Sequence, residues 1–135
     1  MQVANPQQSA ARRTVLIVED NELNLKLLND ILEIHGYSTV VTGLGAAALE
    51  LAREHRPDLI LLDIQLPDIT GMEAARRLKA DDETRAIPIV AVTAFAMQGD
   101  REKILAGGCD DYISKPFNIR EVLALVERYT DGTRV

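Results

Sequence analysis

The stretch Pro57-Asp58-Leu59-Ile60-Leu61-Leu62-Asp63 decides the fold of this chain. Its unbroken apolar run between two acids is typical of a strand that is buried on both faces of a parallel sheet. In an open α/β sheet, ligands bind in the crevice outside the carboxyl ends of the strands. Asp63, the acid that ends this strand, therefore marks the edge of the predicted sheet where chemistry is expected.

Four other apolar segments alternate with helical patterns along the chain. They predict strands at residues 14–18, 38–42, 87–93 and 111–114. Helices are predicted at residues 21–35, 46–56, 72–80 and 97–106, with a last one that Asn118 caps. Because five strands alternate with helices, the pattern predicts an α/β fold with a doubly wound, five-stranded parallel sheet of the flavodoxin-like (βα)5 type.

Composition limits the class of protein. The 135 residues fit one domain, and a hydrophobic fraction of 47% with 27% charged residues is typical of a soluble globular protein. A net charge of -6 argues against direct binding of nucleic acid, and no apolar run approaches the ~20 residues of a membrane span. A single cysteine and the absence of a secretory pattern predict a cytoplasmic protein, which we expect to be a monomer.

Both ends of the chain are predicted to lie outside the folded unit. Residues 1–13 are polar and lack an apolar period, so we expect a disordered extension there. Residues 130–135 are expected to form a short polar tail. The domain is expected to span residues 14–129, which leaves no room for a second folded output unit.

The first predicted helix carries more apolar residues than one buried face needs. At about 100° per residue they cover roughly 200° of the helix, whereas a buried face needs roughly 100°. They are Leu23, Leu25, Leu27, Leu28, Ile31, Leu32 and Ile34. The excess is either an exposed edge on which helices of another protein dock, or an edge that neighbouring loops cover, and the sequence leaves both open.

Polar side chains follow the predicted strands where the strands end. Because parallel strands point the same way, one crevice should collect Glu19, Asp20, Asp63, Thr93 and Lys115. Clustered carboxylates repel one another unless a cation lies among them, and oxygen ligands of this kind suit Mg²⁺. Ammonium and hydroxyl groups would stabilise phosphoryl oxygens, and a carboxylate such as Asp63 can be the nucleophile that forms an acyl phosphate.

Each of these residues taken alone has a simpler explanation. Glu19 and Asp20 could merely favour the start of a helix, Thr93 could be a capping or turn hydroxyl, and Lys115 before proline could belong to a turn. Their combination at successive strand ends is what indicates a phosphoryl-transfer site.

The chain resembles the receiver domains of two-component response regulators over residues 14–129. The matching stretches are Val18-Glu19-Asp20-Asn21, Leu62-Asp63-Ile64-Gln65-Leu66-Pro67 with Gly71, Val92-Thr93-Ala94 and Tyr112-Ile113-Ser114-Lys115-Pro116. Residues 19–27, 91–97 and 107–109 are similar in particular to single-domain members that act in cell division. The resemblance implies the strand order 2-1-3-4-5.

The resemblance also implies a function. Asp63 would accept a phosphoryl group from the phosphohistidine of a sensor histidine kinase or a histidine phosphotransfer protein. The phosphorylated protein would then bind a downstream protein target, so it would be a signalling protein rather than an enzyme. Mg²⁺ would be bound directly by Asp20, Asp63 and the backbone carbonyl of Gln65, and through a water molecule by Glu19.

Further roles are implied on the other side of the site. Thr93 and Lys115 would hold the phosphoryl oxygens, and the Lys115–Pro116 bond would be cis. Tyr112 would swing inward when Thr93 moves, the alternative being that it is only a packed aromatic of the core. Gln65 and Phe95 would set the lifetime of the phosphoryl bond, because in the family these positions flank the path of the attacking water.

Three other functions compete with this one. A haloacid-dehalogenase-like phosphohydrolase also uses an aspartate nucleophile, but its motif needs a second acid where Gln65 stands. A flavodoxin-like flavin carrier needs a glycine- and hydroxyl-rich phosphate loop, whereas Glu19 and Asp20 would repel phosphate. A pure phosphate shuttle in a relay would use the same site as a regulator, and the sequence does not separate the two.

Overall fold

A computed structural model describes residues 13–94 and 98–130 of the chain, and within them five strands alternate with five helices. The strands are β1 (Thr14–Val18), β2 (Ser38–Thr42), β3 (Leu59–Asp63), β4 (Ile89–Thr93) and β5 (Asp111–Ser114). The helices are α1 (Glu22–Ile34), α2 (Gly45–His55), α3 (Gly71–Ala80), α4 (Gln98–Ala106) and α5 (Ile119–Thr130). Every predicted element is present.

The strands form one parallel sheet in the order β2-β1-β3-β4-β5, which confirms the predicted fold class. β3 lies at the centre, and all five of its residues are buried. Asp63 at its end pairs with Val92 of β4, and Thr93 pairs with Ser114 of β5. The carboxyl ends of the central strands therefore lie side by side at one edge of the sheet.

Two apolar cores cover the two faces of the sheet, because side chains alternate along each strand. The core beneath α2, α3 and α4 contains Leu16, Val18, Ala48, Ala52, Ile60, Leu62, Ala74, Ala75, Leu78 and Ile104. The core beneath α1 and α5 contains Val15, Ile17, Leu28, Leu32, Leu59, Leu61, Val122 and Val126. Because both faces are covered, the strand ends are held rigidly and can position side chains at the edge.

β4 begins two residues later than the predicted 87–93. Pro88 has no backbone N–H to donate to a neighbouring strand, although its carbonyl accepts a hydrogen bond from the Ile60 N–H at 3.0 Å. The ladder of hydrogen bonds that defines the strand therefore starts at Ile89.

Helix α1 leaves part of its apolar surface in solvent. Leu28, Ile31 and Leu32 are buried, whereas Leu23 is 75% and Ile34 is 79% exposed. Leu27 belongs to the same exposed edge, while Leu25 is half-buried and packs against the core beneath α1 and α5. No loop among residues 13–94 and 98–130 covers this edge, and its role as a docking surface stays a prediction.

The chain ends bear on the predicted domain limits. Residues 1–12 and 131–135 lie outside the described residues, so the predicted extension and tail stay predictions. α5 runs to Thr130, whose buried hydroxyl donates to the Val126 carbonyl at 2.7 Å. None of the described helices is long and apolar enough to cross a membrane.

The reactivity of the free thiol of Cys109 reports on the packing of the core beneath α2, α3 and α4. Its side chain lies in that core, and burial raises the pKa of Cys109 to about 11. Roughly one thiol in a thousand is then ionised at pH 8, and the thiolate is the reactive form. Alkylation by iodoacetamide at pH 8, followed by intact mass, should be on the order of 100-fold slower for the folded protein than in urea. Equal rates would contradict the buried position.

Candidate phosphoacceptor and metal site

The ends of β1, β3 and β5 bring four of the predicted site residues together. Single carboxylate oxygens of Glu19, Asp20 and Asp63 lie within 4.8 Å of one another. The Lys115 Nζ lies 3.2 Å from Asp63 Oδ2 and 3.3 Å from Glu19 Oε1. One ammonium group therefore pairs with two of the three clustered carboxylates, Glu19 and Asp63.

These four residues line an open cleft of about 510 Å³. The other residues that line it are Asn21, Glu22, Asn24 and Gln65. Asp20 and Gln65 are exposed, whereas Glu19 and Asp63 are almost fully buried at its base. A ligand in the cleft would thus contact water on one side and the buried carboxylates on the other.

The loop after β3 closes tightly over its own base. Asp63 Oδ1 accepts a hydrogen bond from the Gln65 N–H at 3.0 Å, and the Gly71 N–H donates to the Ile64 carbonyl at 2.8 Å. A Cβ atom on Gly71 would lie 2.3 Å from the Asp63 carbonyl oxygen. Only glycine permits this close approach, so Gly71 helps to fix the backbone on which Asp63 stands.

The position of Lys115 is fixed by a backbone hydrogen bond as well as by its ion pairs with Glu19 and Asp63. The Lys115 N–H donates to the Thr93 carbonyl at 2.7 Å, which ties the end of β5 to the end of β4. The Lys115–Pro116 peptide bond is cis, as the resemblance implied.

Neither Thr93 nor Tyr112 lines the cleft, although the Thr93 carbonyl is bound to the Lys115 N–H. Thr93 is buried and lines a separate, mainly apolar pocket with Ile64, Met72 and Ile104 among its neighbours. Tyr112 is half-buried on β5, and the Arg101 Cζ lies 5.2 Å from the centroid of its ring. Their predicted roles would link the cleft to the surface of α4 and β5, and they stay predictions. Phe95 lies outside the described residues, so its predicted role stays untested.

Glu19 carries the clearest electrostatic signature of the site. Burial, and secondarily the neighbouring carboxyl of Asp63, raise the pKa of Glu19 to about 7. The Asn21 N–H, which donates to Glu19 Oε2 at 3.1 Å, and the charge of Lys115 act in the opposite direction. A buried carboxylate beside another is costly to ionise, so this group favours a proton or a cation next to it.

One atom in this cluster has an unmet requirement. Glu19 Oε1 is a buried side-chain oxygen without a hydrogen bond, and the nearby Lys115 Nζ donates instead to Glu19 Oε2 at 3.5 Å. Within the described part of the chain it is the one buried side-chain polar atom of this kind. An oxygen-rich, acidic, partly hydrated site with such an atom fits Mg²⁺, which is bound by a few carboxylates and keeps several waters.

A model of the response regulator receiver domain matches residues 15–127. The chain belongs to this family. Two relatives of this receiver protein are the polar-differentiation response regulators DivK of Brucella anthropi and Brucella ovis. They are 56% and 55% identical over 117 residues, which are 87% of this chain and 95% of each relative.

Solved structures of receiver domains have the same fold. One is the receiver domain of the sensor histidine kinase PA1611 from Pseudomonas aeruginosa, with a magnesium ion coordinated in its active site cleft. It is 37% identical, has a TM-score of 0.83, and the match covers 89% of this chain and 98% of that one. Another is the receiver domain of Ssk1 from Saccharomyces cerevisiae, crystallised with the histidine phosphotransfer protein Ypd1. It is 30% identical, with a TM-score of 0.85 and 92% of each chain covered.

The sequence did not draw attention to Asp68, in the loop after β3. Its carboxylate accepts hydrogen bonds from the N–H groups of Gly45 and Ala46 at the start of α2. One signal was available, because the residues before this helix, Gly43 and Leu44, include no side chain that can cap it.

The raised pKa of Glu19 predicts how the stability of the metal-free protein depends on pH. Between pH 4.5 and about 7 the folded state binds more protons at Glu19 than the unfolded chain does. The free energy of unfolding should therefore fall as pH rises through this range. Glu19→Gln removes the titrating group and should be more stable than wild type at pH 8 by on the order of 1–3 kcal/mol, but not at pH 4.

Urea unfolding at both pH values, without metal, measures this difference. Glu127→Gln on the exposed face of α5 is the control and should follow wild type at both. Adding Mg²⁺ at pH 8 should reduce the difference in unfolding free energy between Glu19→Gln and wild type, because a cation stabilises the ionised form of Glu19. A stability difference between Glu19→Gln and wild type of the same size at pH 4 and pH 8 would contradict the raised pKa of Glu19.

Proposed function

We propose that this receiver protein is a response regulator whose Asp63 accepts a phosphoryl group from a phosphohistidine. The observation that carries the proposal is the convergence at Asp63, where Lys115 Nζ lies 3.2 Å from Oδ2 and two further carboxylates lie within 4.8 Å. An ammonium group beside a carboxylate nucleophile, in a cleft suited to Mg²⁺, is what phosphoryl transfer to an acid requires.

The metal site is proposed to consist of three direct ligands and one indirect one. Asp20, Asp63 and the backbone carbonyl of Gln65 would bind Mg²⁺, and Glu19 would act through a water molecule. The bound ion would supply positive charge next to the phosphoryl oxygens. The unmet hydrogen-bonding capacity of Glu19 and the exposure of Asp20 support this division of roles.

The chemical step is a displacement at phosphorus. An oxygen of Asp63 attacks the phosphorus atom, the O–P bond of an acyl phosphate forms, and the P–N bond to the donor imidazole breaks, with its electron pair left on nitrogen. Lys115 would neutralise charge on one phosphoryl oxygen, and the Thr93 hydroxyl would hold another. Because Asp63 Oδ2 already faces Lys115, the ammonium is in place before the donor arrives.

Phosphorylation is proposed to change the surface that partners read. It adds about -1.5 to -2 charge beside Lys115, which would draw Thr93 toward the cleft. Tyr112 would then move inward, and its contact with Arg101 would transmit this movement to α4. A downstream protein target would bind the altered surface of α4, β5 and α5.

The phosphodonor is proposed to dock on the exposed apolar edge of α1. This edge starts next to the cleft, since Glu22 and Asn24 line the cleft and Leu23 stands between them. A sensor histidine kinase or a histidine phosphotransfer protein is the expected donor, and the complex of the similar Ssk1 receiver with Ypd1 supports the second.

The biological setting is also part of the proposal. The relatives named polar-differentiation response regulators support a role in the control of the cell cycle or cell division. We further propose that the protein acts in the cytoplasm as a monomeric signalling protein, and not as an enzyme that converts other molecules.

The proposed acceptor is tested by phosphorylation with a small donor. Wild type incubated with acetyl phosphate and Mg²⁺ should gain one phosphoryl group by intact mass, and chelation of the metal should abolish the gain. Asp63→Asn should gain none, because it lacks the nucleophilic carboxylate. Asp58→Asn, which changes the exposed acid at the other end of the same strand, is the control and should behave as wild type. A gain of mass in Asp63→Asn would exclude Asp63 as the acceptor.

The proposed docking edge is tested by Leu23→Glu. A charge in an apolar contact should slow transfer from a phosphorylated histidine phosphotransfer protein by about 10-fold, as expected for loss of an interface anchor. Phosphorylation by acetyl phosphate should not change, because Leu23 is 75% exposed and supports no core contact. Leu105→Glu on α4, another exposed leucine, is the matched control for transfer. Equal transfer rates for wild type and Leu23→Glu would refute this docking site.

A further inference from the structure

The start of α2 is capped by a residue from a different part of the chain. Leu44 at the capping position is extended and makes no side-chain hydrogen bond to the helix. The first N–H groups of a helix need acceptors from outside it. Asp68 supplies them, since Oδ1 accepts from the Gly45 N–H at 2.9 Å and Oδ2 from the Ala46 N–H at 2.8 Å.

Apolar contacts reinforce this junction. A Cβ atom on Gly45 would lie 2.8 Å from the Ile69 Cγ1 and 3.0 Å from the Leu66 Cδ1. Leu66 and Ile69 also pack against the core beneath α2, α3 and α4. The loop after β3 therefore rests directly on the backbone of the first turn of α2.

The other end of the same loop forms part of the phosphoacceptor site. Gln65, whose N–H donates to Asp63 Oδ1, lies three residues before Asp68. Gly71 anchors the base of the loop through its hydrogen bond to Ile64. The loop is thus held at its base by β3 and at its tip by Asp68, and the backbone of Gln65 lies between these two anchors.

The residues that lead into α2 contact the acids that follow β1. The Thr42 carbonyl accepts a hydrogen bond from the Glu19 N–H at 2.9 Å. A Cβ atom on Gly43 would lie 3.5 Å from the Asp20 Cα. Residues 42–46 therefore contact the acid pair on one side and bind Asp68 on the other.

We propose that Asp68 is a positioning residue for the metal site, because it joins the loop that carries Gln65 to the segment that supports Glu19 and Asp20. The ligands on the two loops then keep a constant separation, as outer-shell partners of metal ligands do elsewhere. The inference rests on the proposed function, since it concerns the metal used in phosphorylation.

The charge of Asp68 suits this position. The start of a helix carries partial positive charge, which favours a carboxylate. Hydrogen bonds from the N–H groups of Ala46 and Gly45 lower the pKa of Asp68, so it stays ionised where Mg²⁺ binds.

The test compares Mg²⁺ binding by wild type, Asp68→Ala and Asp68→Asn. Backbone amide shifts in ¹H–¹⁵N NMR spectra, followed during a Mg²⁺ titration, give the dissociation constant and show that each variant is folded. Asp58→Ala is the matched control, since Asp58 is also exposed and its Oδ2 also accepts a backbone N–H, that of Thr14 at 2.9 Å. Asp58, however, lies at the opposite end of the sheet.

Asp68→Ala should raise the Mg²⁺ dissociation constant about 10-fold. Asp68→Asn keeps one oxygen acceptor and should lie between wild type and Asp68→Ala, whereas Asp58→Ala should equal wild type. In phosphorylation by acetyl phosphate, the half-saturating Mg²⁺ concentration should rise by the same factor, with the rate at saturating Mg²⁺ preserved. General loss of structure would instead lower the saturated rate.

An unchanged dissociation constant in Asp68→Ala, with faster hydrogen exchange at Gly45 and Ala46, would overturn the inference by showing that Asp68 only caps α2. If Asp68→Ala does not fold, Asp68→Asn decides, and wild-type affinity in that variant would overturn the inference. Failure of the proposed function is distinguishable, because it would appear as no phosphoryl group on wild-type Asp63, whereas the Mg²⁺ titration reports on Asp68 without phosphorylation.

Discussion

Electrostatic repulsion among three clustered carboxylates, two of them buried, is the constraint on which the rest of this structure depends. Two of the three acids, Glu19 and Asp63, are almost fully buried, and Lys115 is the one ammonium group that faces them among the described residues. Charges at this separation interact strongly when water is excluded. We therefore expect the cluster to weaken the metal-free fold and to favour a bound cation, which is the property that the proposed phosphoacceptor site needs.

The sheet is what keeps these charges together. β3 is buried along its whole length, and cores on both faces hold its end in position. The acids stand at or just after the ends of rigid strands, so they cannot separate to relieve their repulsion without disturbing the core. The loops beyond them reach the surface, where a phosphodonor or a partner would bind. The buried lengths of the strands thus stabilise the fold, whereas the residues at the strand ends form the candidate site.

Much of this was predictable because it depends on local patterns. Apolar runs of four residues identify the buried strands β1, β3 and β4, and the polar residue after each run identifies the edge of the sheet. The prediction was less accurate where one local sequence pattern is compatible with two structural arrangements. The apolar excess of α1 suggested an exposed edge, but only the packing shows that Leu23 and Ile34 form it while Leu25 turns toward the core. Likewise, Pro88 delays the start of β4.

The sequence by itself determined the succession of strands and helices, the burial of the β3 segment on both faces of a sheet, and the residue types at the strand ends, because these follow from periodicity and chain direction. Only the tertiary structure decided the pKa of Glu19, the pocket that Thr93 lines together with residues of α3 and α4, and the capping of α2 by Asp68. Each of these depends on burial or on contacts between segments distant in the chain. Burial and long-range contacts arise only when the sheet has assembled, so no short stretch of sequence encodes them.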